Sequence, residues 1–132
     1  MADYATALGE IRNGRKEGHW MWYLFPQLRG LGESTMAWHY GIEDLAEARA
    51  YLEHPVLGEC LLELTRAVLE LPEHNVQRIF GWPDHMKFRS CMTLFAQVSQ
   101  DDVFIRALEK FFDGEEDPLT LERLRKNGEY DD

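Results

Sequence analysis

The clearest hydrophobic rhythm in the chain lies between Pro55 and Leu71. Leu57, Cys60, Leu61, Leu64, Ala67, Val68 and Leu71 recur three and four residues apart, the spacing of one face of an α-helix. Pro55 suits the first helical position and Pro72 stops the run. This segment is expected to be the central, buried helix. Shorter stretches of the same rhythm flank it. Tyr4, Leu8 and Ile11 predict a helix over 3–13, capped by Asp3 and ended by Gly14. Ser34 can cap a short turn of helix through Trp38 to Tyr40. Asp44 with Glu47 fits a capping box that opens a helix to about Glu53. Asn75 caps the segment VQRIF, which Gly81 closes, and Pro83 opens a helix with Cys91, Leu94, Phe95 and Val98 inward. Asp101 or Asp102 caps another to about Asp113, with Gly114 as terminator, and Asp117-Pro118 opens the last. No segment alternates with period two between turn residues, so strands are not expected. The pattern predicts an all-α fold: one compact domain over residues 1–132, a bundle of about six or seven helices, with 125–132 a loose acidic tail.

One stretch does not reduce to that rhythm. Gly18 to Gly32 reads GHWMWYLFPQLRGLG and packs Trp20, Trp22, Tyr23 and Phe25 into six residues beside His19, Pro26 and Gln27. Burying each ring is worth roughly 1.5–3 kcal/mol, and such side chains dominate cores and interfaces. A pure core segment would not need His19, Gln27 and Arg29. The stretch can be core, a pocket wall on which a planar ligand stacks, or an exposed patch that docks a partner.

Charge narrows the choice of partner. The chain has 132 residues, enough for one self-sufficient core, and a formal net charge of −10. That argues against nucleic acid, whose binding relies on Lys and Arg. Residues 101–132 carry eleven acids and five bases, whereas 11–32 carry Arg12, Arg15, Lys16 and Arg29 against Glu17 alone. The aromatic stretch thus lies in the one locally basic part of an acidic protein, which suits a small anionic ligand. Cys60 and Cys91 stand in no CxxC or Cys/His pattern, as expected of free thiols in a reducing compartment. The N-terminus shows no apolar leader run. The uncharged run Gly18–Leu28 has 11 residues, against about 20 for a membrane span. A cytoplasmic protein with no membrane partner is expected.

The helix after Pro83 carries the second candidate cluster. Asp84, Lys87, Cys91, Leu94 and Val98 share one face, so an apolar stripe ends in an acid and a base, with Arg89 and Ser90 beside them. A helix start also favours anions. Lys87 and Arg89 can hold a charged ligand with Asp84 as base or orienter. Equally, Asp84 and Lys87 can form a surface pair worth about 0–1 kcal/mol. His19 is a candidate for proton transfer or a local hydrogen-bonding residue of a tight turn. The histidines show no HxxxH or HExxH spacing, so neither a metal nor a cofactor is expected. No GxSxG, Walker loop or GxGxxG occurs, and both cysteines read as inert.

Taken together, the segments GRKEGHWMWYLFPQLRGLGES, YGI followed by LAEARAYLEHPVLGECL, IFGWPDHMKFRSCMTLFAQV and FFDGEEDPLTL resemble the bacterial domain-of-unknown-function family 1810 over roughly Tyr4 to Leu124. The resemblance implies an all-helical single domain and carries no established activity. Some members bear the label calpastatin, which this non-repetitive chain does not support. The family pattern includes His19, Trp20, Trp22, Gln27, Tyr40, Asp84, Lys87, Arg89 and Ser90 at matching positions. His85 follows Asp84 where the pattern varies, and Cys91 stands where a serine is expected.

The function expected is a small-molecule-binding domain for an anionic, nucleotide- or sugar-like ligand. Its pocket takes Trp20, Trp22, Gln27 and Tyr40, with His19, from one side and Lys87, Arg89 and Ser90, with Asp84, from the other. The alternatives are a hydrolase or lyase on a nucleotide-like metabolite, with His19 or Asp84 as the catalytic acid–base, and a protein-interaction module using the aromatic stretch.

Overall fold

The computed structural model describes residues 2–32 and 34–129. Among them run α1 (Ala2–Arg12), α2 (Met21–Leu24), α3 (Thr35–Tyr40), α4 (Leu45–Glu53), α5 (Leu57–Glu70), α6 (Val76–Phe80), α7 (Asp84–Ala96), α8 (Val103–Phe112) and α9 (Pro118–Lys126). The all-α expectation holds. The count exceeds six or seven because α2, α3 and α6, of four to six residues, stand as separate pieces. Strand-like pairing among the described residues is confined to one parallel bridge between Leu28 and Ile42. There the Arg29 N–H donates to the Ile42 carbonyl at 2.7 Å and the Ile42 N–H to that of Gln27 at 2.9 Å. No helix of the described residues is long and apolar enough to cross a membrane.

Most helix starts follow the sequence signals. Ser34, Asp44, Asn75 and Asp117 each accept a backbone N–H from the first turn they cap. The Glu47 carboxylate reaches the Glu43 N–H rather than that of Asp44, a capping box displaced by one residue. Asp3 lies inside α1 and accepts the Tyr23 hydroxyl proton at 2.5 Å instead of capping. The regular part of α5 begins at Leu57 rather than Pro55, but His54 caps the turn that leads into it: its Nδ1 accepts from the Val56 and Leu57 N–H groups at 3.1 and 3.2 Å and its carbonyl from the Gly58 N–H at 2.9 Å. At α8 it is Asp101, not Asp102, whose side chain takes the Val103 N–H.

The central helix is α7, not α5. Helix α5 packs one face on α1, α4 and α8 and turns Glu59, Glu63, Arg66 and Glu70 to solvent. In α7, Phe88 and every residue from Ser90 to Phe95 are buried. All-round burial is possible because the polar members are satisfied. Ser90 Oγ donates to Asp117 Oδ2 at 2.8 Å and Thr93 Oγ1 accepts the Asp117 N–H at 2.8 Å, so no buried polar group is left uncompensated there.

Most of the aromatic stretch is interior. Trp20, Met21, Leu24, Phe25 and Leu28 are at most 2% exposed, and Phe25 meets Phe80 and Phe88 edge-on, with ring centroids 5.7 and 5.3 Å apart. Glu10 ties its approach down. One carboxylate oxygen accepts from the Glu17 and Gly18 N–H groups, each at 2.8 Å, and from the Trp20 indole at 2.9 Å. Burial favours the neutral acid, but these bonds and the Lys16 charge outweigh it and hold the Glu10 carboxyl below its usual range. The stretch is therefore not an exposed docking patch. Nor is the C-terminal tail loose throughout. Arg125 and Lys126 belong to α9, and Glu129 accepts the Leu45 N–H at 2.9 Å; residues 130–132 lie outside those described.

Candidate ligand-binding cleft

Among the described residues lies a cleft of about 720 Å³. Its walls come from α2 and the loop after it, the start of α6, the first two turns of α7, the end of α8 and the start of α9. Five of the residues singled out in the sequence line it: Trp22, Gln27, Lys87, Arg89 and Ser90. They come from two segments about sixty residues apart in the chain, which packing of the 20–32 stretch against α7 brings together.

Lys87 is the best-placed cation. Its ammonium lies 3.6 Å from the centroid of the Trp22 ring and donates to Asp84 Oδ1 at 2.9 Å. Asp84 Oδ2 pairs in turn with Lys16 at 2.8 Å, whose side chain is only 8% exposed and also donates to the Gly18 carbonyl. Asp84 is thus a bridge between two lysines rather than half of a surface pair. Its burial favours the neutral acid, but the hydrogen bonds and charges of Lys16 and Lys87 prevail and its pKa falls below the ordinary value. The carboxylate is held ionised and does not itself line the cleft.

Arg89 spends part of its fork on the chain, donating from Nε to the Glu115 carbonyl and from Nη2 to that of Glu116, both at 3.1 Å. The guanidinium carries five donors, so capacity is left over. Ser90 is committed through its proton to Asp117, which also accepts from the Thr120 N–H and hydroxyl. Ser90 can offer a ligand only a lone pair, and as a nucleophile it has no base free to serve it.

The remaining candidates lie elsewhere. Trp20 is core, 2% exposed, with its indole N–H on Glu10. Tyr40 packs against Tyr23 and His39, with centroids 5.2 and 4.6 Å apart, away from the cleft. His19 is exposed and outside the lining. His85 lines it instead. Its Nδ1 lies 3.3 Å from the Gly81 carbonyl, which can only accept.

The cleft also takes residues that sequence reading did not single out for a site. Phe111 and Phe112 form part of its apolar wall, and Met86 and Leu119, 54% and 60% exposed, sit at its rim. Both phenylalanines also pack on Phe88, with ring centroids 6.1 and 6.4 Å apart, so no local signal in the sequence sets them apart from the core. Neither cysteine belongs to the site, and burial pushes both thiols up. No group of three or more His, Cys, Asp or Glu among the described residues could hold a metal ion.

Comparison with known proteins follows the fold over nearly its whole length. The chain matches the family model described as a protein of unknown function, DUF1810, over residues 1–124. It is similar to a solved structure, the conserved hypothetical protein Rv1873 from Mycobacterium tuberculosis, at 46% identity with a TM-score of 0.90. The match covers 92% of this chain and 88% of that one. No curated protein matches the chain.

Proposed function

The chain belongs to the DUF1810 family, and from that premise we propose that it is a small-molecule-binding protein whose cleft takes a small anionic ligand with a planar or sugar-like body. The carrying observation is the convergence of Trp22, Gln27, Lys87, Arg89 and Ser90 on one largely apolar cleft. Its volume falls within the roughly 300–1,000 Å³ of small-molecule sites, which set a few polar groups in an apolar wall. Lys87 and Arg89 supply the positive charge. Trp22, Phe111 and Phe112 supply surface for a ring. Two free cysteines fit a cytoplasmic, reducing setting. The hydrolase or lyase reading draws less support, because His19 and Asp84 both lie outside the cleft lining.

The test is thermal denaturation of wild type and Lys87→Ala with adenosine monophosphate, uridine monophosphate, ribose 5-phosphate and glucose 6-phosphate. A ligand at 100 times its Kd stabilises by about 2.7 kcal/mol, a rise of several degrees for a domain of this size. At least one probe raises the wild-type Tm, and the rise is lost in Lys87→Ala. No shift with any probe, or equal shifts in both proteins, contradicts the reading.

A further inference from the structure

Beside the cleft lies a second cavity of about 400 Å³, between the 15–18 connector and α6. It is lined by Arg15, Lys16 and Arg78 and by no acid, in a chain whose net charge is −10. Its floor is fixed, because the Lys16 N–H donates to the Ile79 carbonyl at 2.7 Å. The counter-charges nearby are partial. Glu73 stands 3.6 Å from Arg78, whose side chain is 74% exposed, and Asp84 is shared between Lys16 and Lys87. Arg15 pairs with no acid among the described residues.

The two cavities adjoin. Gln77 lines both, and the Lys16–Asp84–Lys87 bridge runs from one to the other. From this juxtaposition we infer that the basic cavity is a polyphosphate subsite. It binds a di- or triphosphate group, and a ligand whose ring occupies the cleft extends its phosphates past Gln77 towards Arg15 and Arg78. Guanidinium groups suit this role because their planar forks match phosphate oxygens two at a time. The inference deepens the reading of the cleft and rests on it only for the tethered form of the ligand. A free polyphosphate is the other source of the same chemistry.

The experiment is calorimetric titration of wild type and Arg15→Ala/Arg78→Ala with adenosine mono- and triphosphate and with sodium tripolyphosphate, at low salt and without divalent cations. Wild type binds the triphosphate at least about tenfold more tightly than the monophosphate, a difference of about 1.4 kcal/mol. The double variant, still folded by circular dichroism, loses that preference and keeps its affinity for the monophosphate. Tripolyphosphate binding that the double variant loses, with no nucleotide bound, supports the basic subsite as a site for free polyphosphate while overturning the cleft reading. Equal affinity for mono- and triphosphate, or a preference that survives in the double variant, overturns the subsite and leaves the cleft reading standing. No binding of any probe overturns both.

Discussion

Lys87 holds its ammonium 3.6 Å from the centroid of the Trp22 ring while donating to Asp84. That contact joins the aromatic stretch to the first turn of α7 and makes one site of two segments. It is also the outer end of a chain of charges that begins at Lys16, nearly buried behind Asp84.

Asp84 gives the bridge a pH dependence. Its folded pKa lies below the ordinary value of 3.8. A carboxyl depressed on folding adds stability that is fully present above the unfolded pKa and is lost as pH falls through the folded one. Wild type therefore loses more stability than Asp84→Asn between pH 6 and pH 3. Thermal melts across that range check this; parallel curves for the two proteins would sink the bridge as a source of stability.

Glu10 is expected to matter more than its half-buried place on α1 suggests. Glu10→Ala leaves the Glu17 and Gly18 N–H groups and the Trp20 indole without their acceptor. A hydrogen bond to a charged group is worth about 1.5–3 kcal/mol. The Gly18 and Trp20 donors are part-buried, while that of Glu17 is exposed and can turn to water, so Tm drops by a few degrees. Differential scanning calorimetry reads the change, and an unaltered Tm contradicts the role assigned to this carboxylate.

Gly58 is a packing requirement. A Cβ there would lie 1.9 Å from the Leu52 carbonyl oxygen at the end of α4, and backbone cannot yield as a flexible side chain can. Gly58→Ala should destabilise by about 1–3 kcal/mol or more, the usual cost of overpacking, although alanine is the better helix former. Denaturant unfolding measures it; a stabilised variant would show that α4 and α5 are not so closely set.

The helices were legible because their signals are local: a repeat of three and four, and caps one turn from what they cap. The centrality of α7 was not. Ser90 and Thr93 look like surface residues until Asp117, more than twenty positions on, satisfies them. The same limit divides the tryptophans. Trp20 and Trp22 are two residues apart, and nothing local tells which faces the core and which the cleft; Glu10, ten residues before Trp20, decides it. Of the charged candidates, Lys87 follows from helical spacing, on one face with Asp84 and Cys91, and Arg89 only from standing near it. The pairing of Asp84 with Lys16 joins segments 68 residues apart and has no sequence signature.

The most direct test of the cleft is where a ligand's effects fall. Titrating adenosine monophosphate into uniformly ¹⁵N-labelled protein, followed by ¹H–¹⁵N correlation spectra, gives that location residue by residue. The account predicts shifts concentrated on the Trp22 indole, the Gln27 amide and backbone amides 85–90, with the Trp20 indole little changed. Saturable shifts confined to another face, or none at millimolar ligand, would contradict it.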